Sequence, residues 1–253
     1  MTGIRDFLPG FRRFRPQFDA PIAPEQPFAV IGDIHGRDDL LTALLAQLET
    51  EAPGMPVVFV GDYVDRGPDS AAVLRHVREL CQDNPEMFVA LRGNHEAMFL
   101  EFLETPAEAG PRWLFNGGDR TLASFGIDIP DDFWAENGLV QARDRLAECA
   151  GSTLVDWMRA LPLVWQSGNV AVTHAGADPS QPIEPRRGHG LLWGHRDFLR
   201  KPRQDGLWIA HGHYIVSEPV AEMGRIATDT GAYSTGRLTA AIIGPDNVRF
   251  IGT

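Results

Sequence analysis

Three short polar clusters in the first hundred residues hold the side chains best suited to chemistry: Gly32-Asp33-Ile34-His35-Gly36, Gly61-Asp62-Tyr63-Val64-Asp65-Arg66-Gly67 and Arg92-Gly93-Asn94-His95-Glu96. Aspartate, histidine and asparagine on glycine-flanked turns offer oxygen and imidazole ligands to a divalent cation, and the glycines permit tight backbone geometry beside it. Two later histidines extend the set, His174 in Thr-His-Ala-Gly and His213 in His-Gly-His-Tyr. A lone histidine after an apolar run is usually a hydrogen-bonded structural residue. Two of them, placed after apolar runs as the three earlier clusters are, point to a shared site.

The elements that must position these residues are legible around them. Apolar runs at Phe28–Ile31, Val57–Val60 and Met87–Leu91 read as strands, and each is followed by its polar cluster and then by an amphipathic helix: Asp38 to about Glu49, Ser70–Leu80 and His95–Leu103. Three successive strand–turn–helix units predict parallel strands joined by right-handed crossovers. Ligands bind at the carboxyl ends of such strands, where the loops converge. Residues from Thr105 to Ala160 have a helical pattern, with Gly117 and Gly118 marking a turn. Further strands are expected at Val170–Thr173, Leu207–Ala210, Arg225–Thr228, Leu238–Ile243 and Val248–Ile251, the last two forming a hairpin about Pro245-Asp246-Asn247. Residues 1–27 carry no sustained periodicity and read as an extended arm, which Phe7, Phe11, Phe14 and Phe18 could pin to a domain spanning 28–253.

Composition narrows the function. The chain has 253 residues, 43% of them hydrophobic, with 34 acids against 23 bases and a net charge of −11. That balance opposes binding to nucleic acid or an anionic membrane, because no basic run exists to overcome self-repulsion. Cys81 and Cys149 lack the spacing of a disulfide framework or zinc knuckle, and no stretch approaches the ~20 apolar residues of a membrane span. A cytoplasmic location is expected. A dinucleotide-binding turn at 32–36 is rejected, since Gly-Asp-Ile-His-Gly lacks the glycine spacing and puts charged side chains where backbone must meet pyrophosphate.

In order and spacing, GDIHG (32–36), GDYVDRG (61–67), GNHE (93–96), HAG (174–176) and GHY (212–214) resemble the phosphoprotein phosphatase branch of the calcineurin-like metallophosphoesterases. The similarity extends to segments of bacterial members like NGGDRTLASFG (116–126) and DTGAYSTGRLTA (229–240), and it covers about Phe28 to Thr253. It implies an α/β metallo-dependent phosphatase fold: two packed mixed β-sheets flanked by helices, a four-layer αββα sandwich. It further implies two divalent metal ions, manganese first with iron or zinc as options, held by Asp33 and His35 on one side and Asn94, His174 and His213 on the other, with Asp62 bridging. Two such ions would acidify a bridging water and clamp the phosphoryl oxygens for in-line attack. By the same resemblance His95 is the general acid, oriented by Asp65, while Arg66 grips the phosphate, which Asn94 also approaches. A second phosphate-binding arginine is expected shortly after Leu191-Leu192-Trp193. Arg196 is the choice, although it stands one residue late and an ungapped match puts His195 there. Tyr233 falls where members place a tyrosine near the phosphate; Arg92 and His211 would support the site from behind.

Three functions compete. The first is a serine/threonine or dual-specificity protein phosphatase. The second is a hydrolase of dinucleoside polyphosphates or other small phosphoesters, and the third a non-catalytic scaffold. The scaffold is disfavoured because every expected ligand position is filled. Asp65 favours the first over the second, since symmetrical dinucleoside-tetraphosphate hydrolases of this family commonly lack an acid there and an alkoxide leaving group benefits from an oriented acid.

Overall fold

A computed structural model describes residues 18–128 and 136–253. The first sheet has the order β10-β9-β1-β2-β3, with β1 (Phe28–Ile31), β2 (Val57–Phe59) and β3 (Phe88–Ala90) parallel and the hairpin of β9 (Thr239–Gly244) and β10 (Asn247–Gly252) antiparallel beside β1. The second has the order β4-β5-β6-β8-β7. Its parallel core is β5 (Val170–Thr173), β6 (Trp208–His211) and β8 (Arg225–Ala227), flanked by antiparallel β4 (Val164–Ser167) and β7 (Val220–Glu222). The α/β architecture of two mixed sheets flanked by helices is the one expected.

The two-residue period of a strand decides which layer each side chain enters. On β1, Phe28 and Val30 face the second sheet and join Val58, Val60, Val170, Val172, Ala210 and Ile226 in a core between the sheets. Ala29 and Ile31, on the opposite face, join the larger core under the helices. Into that core pack α1 (Asp38–Glu51) through Leu41, Leu44 and Leu48, and α2 (Ser70–Asp83) through Val73, Leu74 and Val77. The same core receives α3 (Asn94–Glu104), α4 (Pro106–Trp113), α5 (Asp119–Ser124), α6 (Glu136–Ala150) and α7 (Ser152–Ala160). The outer face of the second sheet has a thinner cover, where Ala171 and Ile209 pack under Phe198 in the chain that follows the short helix α8 (Gly188–Trp193).

Three local outcomes add to the sequence reading. Strands β4 and β7 were not anticipated; both are edge strands with mostly half-buried or exposed side chains, so neither carries a full apolar run. The glycine pair stands at a turn between two helices, as the sequence reading has it. Leu114–Gly118 forms a wide π-type turn between α4 and α5, with Gly117 at φ +100°, a conformation that favours glycine. Of the arm, Phe18–Pro27 lies on the second sheet: Phe18 meets the Trp208 ring edge-on at 5.1 Å, Ile22 is buried, and Trp208 Nε1 donates to the Ala20 carbonyl. Phe7, Phe11 and Phe14 lie outside the described residues. No helix among the described residues is long and apolar enough to cross a membrane.

Candidate active site

The carboxyl ends of β1, β2, β5, β6 and β8 and the start of α3 converge on one cluster. Backbone bonds stitch the loops together: His35 and Ile34 N–H donate to the Asp62 carbonyl, and Gly212 N–H donates to that of His174. Of the seven non-glycine residues described with positive φ, five are His35, Asp62, Asp65, Arg66 and His213. Such conformations cost about 1–3 kcal/mol each and persist where the surroundings over-determine them, commonly at functional sites. Close approach also requires glycine. A Cβ on Gly212 would overlap Asp33 Oδ1, and one on Gly93 would overlap Asp62 Oδ1.

The donor set fits cations. His35 Nδ1 lies 2.7 Å from the Val64 carbonyl, which can only accept, so the proton sits on Nδ1; Nε2 is left a buried lone pair with no partner, 3.6 Å from Asp62 Oδ2. His174 repeats the arrangement, with Nδ1 on the Val60 carbonyl at 3.1 Å and Nε2 facing Asn94 Oδ1 at 2.7 Å and Asp62 Oδ1 at 3.4 Å. His213 Nδ1 stands 2.9 Å from the same Asn94 oxygen. Lone pairs aimed at oxygens are repulsive unless a cation lies among them. Asp62 sits between two such groupings, one with His35 and His95, the other with His174 and His213. Asp33 accepts the His213 N–H at 3.0 Å and closes the pocket from β1.

Charge follows this geometry. Burial pushes the Asp33 carboxyl well up, and the neighbouring Asp229 and Asp62 carboxylates push further. Burial alone would raise Asp62 too, but the imidazoles of His174, His95 and His35 hold it below the usual carboxylate range. Burial lowers His35 to about 3 and His213 to about 4, keeping both neutral and able to ligate.

Beside the cluster, His95 Nδ1 lies 2.6 Å from Asp65 Oδ2. Asp65 is fully buried and also accepts from Trp113 Nε1 at 3.1 Å and Thr121 Oγ1 at 2.7 Å. Burial opposes protonation of His95, but Asp62 and Asp65 outweigh it and raise its pKa. Arg66 Nη2 stands 3.1 Å from His95 Nε2, and its guanidinium lies 4.8 Å over the Tyr233 ring, which meets His35 edge-on. Sequence reasoning missed three parts. Trp113 and Thr121 received no role in the site, though Thr121 lies within the matched 116–126 segment. Glu96 received no role, yet its carboxylate accepts backbone N–H groups of Asp62, Tyr63 and Gly93 at 2.7–2.9 Å; its place three residues after Gly93, at the start of a helix, is a capping-box signature. Asp229 was quoted only within a motif, and it sits against Asp33.

Arg196 is not brought to this cluster by any described contact. It is exposed beside Asp197, while His195 Nε2 lies 3.8 Å from Asp178 Oδ2. His211 is buried one strand position from the site, its ring edge-on to Phe198. Arg92 donates its N–H to the Pro162 carbonyl, and its Nε is buried with no partner.

The calcineurin-like phosphoesterase family model matches residues 26–225. The chain is 39% identical over 224 residues to serine/threonine-protein phosphatase 1 of Salmonella typhimurium, covering 85% of this chain and 90% of that protein. It is 34% identical over 149 residues to a symmetrical bis(5'-nucleosyl)-tetraphosphatase of Dechloromonas aromatica, covering 59% of this chain and 43% of that one. Two further matches likewise span less than half of the relative's length, 38% for serine/threonine-protein phosphatase 2 of Escherichia coli and 49% for a PP2A-like phosphatase of Candida albicans. Among solved structures, the cold-active protein-tyrosine phosphatase of a psychrophilic Shewanella superposes with a TM-score of 0.58 at 16% identity, over 91% of this chain and 83% of that one. At that identity the likeness shows the fold alone.

Proposed function

The chain belongs to the calcineurin-like phosphoesterase family, and on that premise we propose that it is a dimetal-dependent phosphoric monoester hydrolase acting on phosphoserine and phosphothreonine in proteins, with phosphotyrosine as a further substrate. The observation that carries the reading is the buried Asp65–His95 pair set beside Arg66. Asp33, His35, Asp62, Asn94, His174 and His213 would hold the two metal ions, for which manganese is our first choice. When bound, the ions supply Lewis-acid charge and an acidified water for attack at phosphorus.

The protein's own groups then do the rest. Arg66 binds phosphate oxygens through its planar fork, and Asn94 and Tyr233 border the same space. Since Arg66 Nη2 and His95 Nε2 are neighbours, a phosphate held by the guanidinium stands next to the nitrogen that would protonate its leaving oxygen. Asp65 keeps the Nδ1 proton in place, so the proton given up is the one on Nε2. Trp113 and Thr121 saturate the Asp65 carboxylate and fix its direction. The unpaired thiols of Cys81 and Cys149 accord with a reducing cytoplasm.

A second reading, hydrolysis of dinucleoside polyphosphates, draws on the tetraphosphatase relative. The deciding experiment is an activity panel on the manganese-reconstituted protein with phosphopeptides, nitrophenyl phosphate and diadenosine tetraphosphate. Selective turnover of phosphopeptides is expected, and preference for the dinucleotide would replace the first reading with the second.

A further inference from the structure

Asp65 and Arg66 are neighbours in the chain at φ +72° and +68°, a left-handed pair that residues with side chains seldom adopt. One stretch, the junction of α4 and α5, holds both. The Gly117 carbonyl accepts the Arg66 N–H at 3.2 Å, and a Cβ on Gly117 would come within 2.6 Å of that nitrogen, so only glycine lets the chains meet there. Four residues on, the Thr121 hydroxyl donates to Asp65 Oδ1 at 2.7 Å and accepts the Asp65 N–H at 2.9 Å, gripping side chain and backbone of the same residue. Its one proton is committed to the carboxylate, so in its contact with Ser70 Oγ at 3.1 Å the serine donates. Ser124, one turn further, accepts the Ala71 N–H at 3.1 Å and anchors α5 on the start of α2. Thr121 is fully buried, and valine would fill its space equally well; what the hydroxyl adds is the hold on Asp65.

We infer that Thr121 is a positioning residue for protonation of the leaving group, and that through it the site is built for phosphate esters of aliphatic alcohols. The inference rests on the phosphoesterase reading and deepens it by naming the substrate class. In the step concerned, a water oxygen bonds to phosphorus while the bond to the ester oxygen breaks and that oxygen takes the Nε2 proton of His95. Of the water's two protons, one stays on the product phosphate and the other restores His95. An alkoxide needs the proton as it departs, whereas a nitrophenolate leaves as a stable anion. His95 Nδ1 is held by Asp65 Oδ2 at 2.6 Å, so a carboxylate free to rotate would carry the imidazole with it. Thr121 stops that rotation at the other carboxylate oxygen.

The test is steady-state kinetics of the manganese-loaded wild type, Thr121→Val and Thr121→Ser on a phosphoserine peptide and on nitrophenyl phosphate. Each protein is read as the ratio of the two kcat values on one preparation, so partial unfolding or partial metal loading cancels. Thr121→Val should lower kcat for the peptide about ten- to hundred-fold more than for nitrophenyl phosphate, a part of the about 10²–10⁴-fold that acid catalysis supplies, with KM little changed. Thr121→Ser should restore the ratio. Apart from turnover, the downfield imidazole N–H resonance of the metal-free protein, assigned by its loss in His95→Asn, should shift in Thr121→Val and return in Thr121→Ser. Thr121→Ala, which removes the hydroxyl without putting a methyl in its place, is read the same way where the valine variant does not fold. An equal loss on both substrates, an unchanged ratio, or a wild type that turns over nitrophenyl phosphate alone would overturn the inference and leave the phosphoesterase reading standing. A wild type that turns over neither substrate would overturn both.

Discussion

Asp65 accepts three side-chain donors, of which only the His95 imidazole carries a transferable charge. That arrangement predicts how a variant should fail. His95→Asn would remove the group we propose as the general acid, and general acid catalysis contributes about 10²–10⁴-fold. Turnover of an alkyl phosphate should drop within that range while bound manganese, measured by elemental analysis, stays near the wild-type level. Near-normal turnover would refute the general-acid assignment. The motif GDYVDRG made Asp65 and Arg66 visible in the sequence as candidates. Trp113 and Thr121 were not visible in that role, because they reach Asp65 from 48 and 56 residues away and an indole or hydroxyl in a helical stretch has no signature of its own.

Among the elements, the loops after β2 and β3 carry most of the site, and Glu96 ties them together. Its carboxylate at the start of α3 caps Gly93 and reaches back to the N–H groups of Asp62 and Tyr63, so the helix fixes Asp62 through the backbone. Above about pH 7, where its carboxyl is ionised, Glu96→Gln keeps the shape but weakens charge-assisted bonds, each worth about 1.5–3 kcal/mol. A lower thermal midpoint and a weaker manganese affinity by calorimetry are expected together; a variant with wild-type affinity would show that the loops hold Asp62 without Glu96. The parallel strands were legible because their buried runs are continuous, and the amphipathic helices because their leucine and valine stripes repeat. Edge strands β4 and β7 were not, since pairing rather than apolar content defines them.

At the scale of the molecule, the carboxylates gathered by the fold make stability depend on pH and on cations. Burial, aided by Asp62, lifts Glu96 from an ordinary 4.5 to about 7 and Asp229 from 3.8 to about 6. The metal-free native state therefore holds protons that the unfolded chain has released. The stabilisation is complete below the unfolded values and is lost as pH rises through about 6 to 7. Thermal unfolding of the chelated protein should show a falling midpoint across that window, and Mn²⁺ should raise the midpoint more at pH 8 than at pH 5. A manganese shift that does not grow with pH would count against the cation reading. The sequence by itself determined the chemistry available: which acids, imidazoles and arginines follow which strands, and hence a phosphoesterase resemblance. Its net charge of −11 said nothing of the sign of the ligand. Only the tertiary structure decided that Asp62 lies between two histidine groupings and that the turn carrying Phe115 packs against Arg66. The reason is physical: a motif constrains the backbone near itself, whereas distances between loops are set by how two sheets and their helices pack.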